Sequence, residues 1–249
     1  MRRLIINADD LGYDPAVDRG LLRAMREGVV TSATLMVNTQ FSGQAAHDAR
    51  GLPVGLHLNL ARGRPVSHRF PASLLDNGAF SELRASALPA AVVEVEARAQ
   101  LARAGELLGA RPTHLDVHKH LHRFPDVLEG VARAAKAVGL PVRSIDAAMR
   151  RKLAAHGVST PGHFLGEAGA EPYWTLPRLL AAIEALPDGT TELMCHPGET
   201  PSEVRSGYST QREVELRTLL SPEARAALER AGVVLADFRA LAPPQASVR

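Results

Sequence analysis

Short apolar, β-branched runs alternate with longer amphipathic stretches along the chain. Residues 3–8 read as an apolar strand that runs straight into Asp9, Asp10, Leu11 and Gly12. A helix is predicted over 14–28, with Pro15 where a first turn tolerates it and Gly28 at the stop. Further strands are predicted over 29–37, 54–60, 112–118, 141–145, 191–196 and 232–235. Helices are predicted over 44–50, 90–108, 124–138, from after 145 to 155, and over 175–186, 213–220, 222–231 and 237–241. The polar, Gly- and Pro-bearing stretch 61–88 is long enough to be a functional loop rather than a plain connection. Residues 159–169 and 199–210 also read as loops, and the tail 242–249, with two prolines, as frayed.

About seven strands alternating with helices predict a parallel α/β sheet. No repeat, linker or low-complexity block divides it, so one domain is expected over 1–241. Candidate functional groups end several different strands. That favours an irregular (β/α) barrel of about seven parallel strands over an open doubly wound sheet. The chain has 249 residues, 45% of them hydrophobic, enough for a full core. Its net charge is only +2, its basic residues are scattered, and aromatics make up 4%, which argues against a nucleic-acid partner. The single cysteine, Cys195, excludes an internal disulfide framework and fits a reducing compartment. No apolar run reaches the length of a signal-peptide core or a membrane span, so a cytoplasmic protein without a span is expected.

Asp9 and Asp10 stand together at the end of a buried strand. Like charges this close and partly desolvated resist ionising together, and a bound cation would give each a separate use. Four of the ten histidines crowd into 114–122. Even spacing puts Asp116, His118 and His120 on one face for as long as the strand lasts. His57 lies midway to late in another strand, where a lone histidine is most often a core residue. His196 ends a third strand, before Pro197 and Gly198. All these positions fall near the C-terminal ends of strands, the face where catalytic groups of a barrel converge. One carboxylate with two imidazoles makes a facial metal site with open positions. A spare carboxylate is then a natural base, and a histidine on the opposite side a natural acid. His114, at the start of its strand, is expected to satisfy a backbone group, and Cys195 to be a small buried hydrophobe. Tyr173 and Trp174 suit either a pyranose face or the core.

The motifs Asn7-Ala8-Asp9-Asp10-Leu11-Gly12, Gly55-Leu56-His57, the run from Pro112 to His122, and His196-Pro197-Gly198 resemble the YdjC-like carbohydrate deacetylases. Weaker matches are Gly28 to Ser32, Gly162-His163-Phe164 and the stretch from Tyr208 to Leu216. The resemblance implies a distorted (β/α) barrel that hydrolyses the acetamide of an N-acetylated amino sugar, with metal-bound water as nucleophile. It places the metal ligands at Asp10, His57 and His118, the general base at Asp9 and the general acid at His196. Arg143 resembles the basic residue that orients the base. Asp116, His120, His122 and His163 are expected around the ligands or the substrate. Val117 and Lys119 depart from the family's usual Ser and His, and Lys119 is expected to point into solvent. The ligand set favours Zn²⁺, Co²⁺ or Ni²⁺ over Mg²⁺, while the family resemblance keeps Mg²⁺ in play. A homodimer is a family-level expectation. The competing readings are a metal-dependent phosphoesterase or other amidase, and a non-catalytic sugar-binding protein of the same fold. No Gly-rich cradle follows a strand, which weighs against phosphate chemistry.

Overall fold

The computed structural model describes residues 1–241, so the tail expected to fray lies outside the described residues. In chain order the elements are β1 (Arg2–Leu11), α1 (Pro15–Glu27), β2 (Ser32–Leu35), α2 (Ser42–Asp48), β3 (Val54–Leu58) and α3 (Ala90–Leu108). Then come β4 (Leu115–Val117), α4 (Pro125–Val138), α5 (Ala147–Ala155), β5 (His163–Leu165) and α6 (Leu176–Glu184). The last are β6 (Gly189–Cys195), α7 (Gln211–Leu220), α8 (Pro222–Arg230) and β7 (Val234–Ala236). Short 3-10 turns occupy Ala72–Leu74, Glu82–Ala87, His118–Arg123 and Phe238–Leu241.

Every strand pair is parallel, in the order β4-β3-β2-β1-β6-β5, with β7 also on β1. The long first strand is the hub. Its edge opposite β6 is shared by β7, along Arg3–Ile5, and β2, from Asn7 to Leu11. The sheet curls into a barrel whose last gap is spanned by single contacts. Leu115 bridges Val142, the Val142 amide donates to the Ser159 carbonyl at 2.9 Å, and the Gly162 amide to that of Thr190 at 2.9 Å.

Two sequence expectations are corrected here. The strand predicted over 141–145 is reduced to the bridge at Val142, because on its outer side, among the described residues, its backbone bonds only the Ser159 carbonyl. A strand that the sequence reads as loop, β5, lies against β6 instead. Its three residues, set between Gly162 and Gly166, are too few to show a period.

Leu4, Ile6 and Ala8 belong to the main apolar cluster, together with buried residues of the surrounding helices. The alternate positions Asn7 and Asp9 turn into the barrel, where they meet Ser32, Thr34 and Arg143. The interior is therefore polar beneath the C-terminal ends of the strands. A polar interior costs free energy unless each group is paired, and that makes it the place to look for chemistry.

Candidate active site

Neighbouring strand residues ordinarily face opposite sides, yet Asp9 and Asp10 both border one cleft. The β1–β2 register explains it. Ala8 pairs with Ala33 and Leu11 with Leu35, so β1 carries one extra residue between them. Asp10 takes up that residue in a left-handed conformation, φ 75°. This bulge turns Asp10 to the side of Asp9, as bulges beside active sites commonly re-aim a side chain. Gly12 completes the turn at φ 82°, where a Cβ would lie 2.9 Å from the Met36 carbonyl oxygen. Its amide donates to buried Asp18 at 2.6 Å. Asp14 caps α1 through the Ala16 amide at 2.8 Å.

Asp10, His57 and His118 converge. Asp10 Oδ1 lies 3.3 Å from His57 Nε2 and 3.2 Å from His118 Nδ1, and the two nitrogens are 3.1 Å apart. The group is buried, and Asp10 Oδ1 is not aligned for a hydrogen bond with either ring. Three lone-pair atoms so spaced match ligand atoms at about 2.0–2.2 Å from one shared cation. Thus the residues present fit a divalent metal.

The neighbouring side chains prepare His57. Its Nδ1 lies 2.6 Å from Asp116 Oδ1, and Asp116 Oδ2 accepts from the Thr34 hydroxyl at 3.0 Å. A proton held at Nδ1 by Asp116 leaves the Nε2 lone pair facing Asp10 and His118, as carboxylates behind metal-bound histidines do. Burial alone would lower the His57 pKa, but Asp116 and Asp10 pull it up to about 10. Asp9, His57 and Asp116 also lie close enough to share an ion. That alternative is poor, because the Arg143 guanidinium already occupies both carboxylates.

Arg143 is wholly buried and grips Asp9 with two donors, at 2.6 and 2.7 Å. It also reaches Asp116 at 2.8 Å and Glu192 at 2.6 Å. Asn7 donates to Asp9 Oδ1 at 3.0 Å. Burial pushes the Asp9 carboxyl up, yet Arg143 outweighs it and holds Asp9 well below the usual carboxylate range. Burial likewise opposes ionisation of Asp10, and Arg212 outweighs it with a 2.6 Å contact to Oδ2. Burial pushes Glu192 up to about 8 despite Arg143.

The strand leading to His118 ends at Val117, so alternation does not place His120 as the sequence suggests. Lys119 and His120 both take left-handed conformations, φ 57° and 51°. This turn brings His120 back to the cleft and tucks His122 behind it, with ring centroids 5.8 Å apart. Lys119 does not run free into solvent; it pairs with Glu82 at the cleft mouth and ties in the 61–88 loop. His114 is stacked 3.7 Å from Phe238, with Nδ1 on the Thr113 hydroxyl at 2.8 Å, rather than on a backbone group.

His196 follows β6 and borders the cleft from the side of β1 opposite β2 and β3. Its amide donates to Glu215 at 2.6 Å, and its ring meets Tyr208 edge-on, centroids 5.4 Å apart. Cys195 is buried against the Asn7 carbonyl, and burial pushes its thiol up. Trp174 is a core residue, 1% exposed, with its indole on the Met194 carbonyl at 2.7 Å, whereas Tyr173 borders the cleft. The structure does not bring His163 to the site. It lies exposed at the N-terminal end of β5, while Phe164 turns inward beneath Arg143. Thr34, Glu192, Arg212 and Glu215 were not singled out by the sequence reading. The last two fall within the weak match from Tyr208 to Leu216, at i and i+3 of a helix start, and that spacing was their only signal.

The cleft encloses about 830 Å³, within the range of small-molecule sites. Among the described residues, no helix is long and apolar enough to cross a membrane.

The family model described as YdjC-like protein matches residues 3–230. A carbohydrate deacetylase from Geobacillus stearothermophilus is 38% identical, covering 96% of this chain and 97% of its own. A chitooligosaccharide deacetylase from Serratia marcescens is 36% identical, over 96% and 98%. Among solved structures, a putative cellobiose-phosphate cleavage protein from Enterococcus faecalis superposes with a TM-score of 0.86 at 28% identity, covering 97% of this chain and 99% of that one. A family 4 acetyl xylan esterase from Clostridium thermocellum, solved with a cobalt ion, shares the fold at a TM-score of 0.50 and 12% identity, over 96% and 90%.

Proposed function

We propose that this chain, which belongs to the YdjC-like family, is a carbohydrate deacetylase that hydrolyses the acetamide of an N-acetylated amino sugar with the help of one divalent cation. The observation that carries the reading is the Asp10–His57–His118 triangle beside a second, independently held carboxylate. A cation bound there would supply a Lewis acid that acidifies water and polarises a carbonyl oxygen. The chain's own residues supply the rest. Asp9, kept ionised by Arg143, takes the proton of the attacking water. Arg143 fixes both oxygens of Asp9, so the base is aimed as well as charged. His196, across β1 from the histidine pair, gives a proton to the departing amine as the C–N bond breaks. The products are acetate and the free amino sugar. Base and acid are each worth about 10²–10⁴-fold in rate.

The test is acetate release from short N-acetylated chitooligosaccharides, with and without a chelator, alongside ester and phosphoester substrates. Release that a chelator stops and added Zn²⁺ or Co²⁺ restores is the expected result. Phosphoester turnover, or sugar binding without any turnover, would overturn the reading in favour of a phosphoesterase or a binding protein.

A further inference from the structure

We propose that the N-terminal end of α7 positions both halves of this site, with Arg212 fixing Asp10 and Glu215 fixing His196. The proposal rests on the metal-hydrolase reading above and assigns two residues to it. Arg212 is 2% exposed and Glu215 fully buried. One turn apart, they face the same way. Arg212 Nη2 donates to Asp10 Oδ2 at 2.6 Å, and its Nε to the Tyr208 carbonyl at 2.9 Å. Glu215 Oε2 accepts the His196 amide at 2.6 Å, while Oε1 accepts the Tyr208 hydroxyl at 2.5 Å. The Gly198 amide donates to the Arg212 carbonyl at 3.3 Å, a third tie between this helix end and the segment after β6.

The need for Arg212 follows from the conformation of Asp10. That residue sits on a bulge in a left-handed conformation, and a carboxylate turns easily about its last torsion. A ligand that turns freely presents either oxygen, or neither, to the two imidazoles. Arg212 holds Oδ2, and so leaves Oδ1 as the oxygen that faces His57 and His118. Glu215 does the matching work for His196, whose backbone it anchors directly and whose ring it backs through Tyr208. Both are positioning residues. Arg212 acts on cation binding, and Glu215 on proton delivery to the leaving group.

The experiment measures Co²⁺ affinity by competition with a chromogenic chelator, and kcat and KM for acetate release at saturating Co²⁺. It compares wild type, Arg212→Met, Arg212→Lys and Glu215→Gln. Arg212→Met is expected to weaken Co²⁺ by about 10–100-fold, the usual cost of losing a partner behind a ligand, with kcat recovering as Co²⁺ is raised. Arg212→Lys keeps a charge but carries its donors on one nitrogen, so it cannot hold Asp10 and the Tyr208 carbonyl from two separate points, and is expected to fall between. Glu215→Gln keeps one acceptor where two are needed. It is expected to lower kcat about tenfold while KM and Co²⁺ affinity stay put, a split that general loosening of the fold would not give. Wild-type affinity in both Arg212 variants, or a Glu215→Gln variant that loses Co²⁺ rather than kcat, overturns the proposal alone. A wild-type protein that takes up no Co²⁺ overturns the metal reading and this proposal with it.

Discussion

Replacing Asp9 with Asn separates base catalysis from metal binding. Asn has nearly the same shape but cannot take a proton from water at neutral pH. The expected loss in kcat is about 10²–10⁴-fold, or about 2.7–5.4 kcal/mol of barrier. The cost to folding is smaller. Asp9 accepts two charge-assisted bonds from Arg143, and Asn can accept one. A lost bond of this kind is worth about 1.5–3 kcal/mol. Arg143 keeps Asp116 at 2.8 Å and Glu192 at 2.6 Å, so its charge is not stranded. Against a typical stability of about 5–15 kcal/mol, the variant stays folded. Its melting temperature should fall by several degrees, at about 2–4 °C per kcal/mol for a domain of this size. The proposed metal ligands are untouched, so Co²⁺ affinity should stay within a few-fold of wild type. The assay is acetate release at saturating Co²⁺, with metal content and a thermal melt on the same samples. A folded, metal-loaded Asp9→Asn protein with wild-type kcat would refute the role given to Asp9.

Other expectations can be checked with the same material. His57→Ala removes one corner of the ligand triangle, so both metal content and acetate release should collapse; elemental analysis showing a full complement of metal would contradict this. Glu192 keeps its proton to about 8 in the fold, against 4.5 for a free glutamate. The folded state then binds more protons than the unfolded one between those values, so this residue makes stability decline as pH rises through the window and stop declining above it. Glu192→Gln, melted beside wild type at several pH values, should flatten that decline, and parallel curves would disprove the assignment. At Gly55 a Cβ would lie 2.7 Å from the His114 carbonyl oxygen and closer still to its ring. Gly55→Ala should therefore cost about 1–3 kcal/mol through overpacking, and an unchanged melting temperature would show that His114 gives way freely.

The sequence displayed the long elements well because their signals are local. Asp14, Pro15 and Gly28 bracket α1, and the 19-residue α3 lies where its pattern and Gly109 put it. Closure of the barrel was harder to read, because it depends on contacts with almost no local signature: one bridge at Val142 and a three-residue β5. The family resemblance brought Asp10, His57 and His118 into one set, but strand alternation would have put Asp9 and Asp10 on opposite faces. The extra residue between Ala8 and Leu11 is visible only in the pairing with β2. His163 shows the converse error, since a motif match without a strand direction left its exposed side unseen.

The two adjacent acids also answer the objection their closeness raises. Side by side in a buried strand end, they ought to hinder each other's ionisation. The fold instead gives each its own buried guanidinium, Arg143 from the far side of the barrel for Asp9 and Arg212 from α7 for Asp10. Both carboxyls end up below their ordinary range even though burial works the other way. The two guanidiniums also divide the labour. Arg143 engages both oxygens of Asp9 and holds it in a two-point ion pair, while Arg212 engages one oxygen of Asp10 and leaves the other turned to the imidazoles. On the proposed reading, their cationic partners set which acid ligates and which takes the proton, since the acids themselves are chemically alike. Exchanging the two roles would require moving an arginine, not an aspartate.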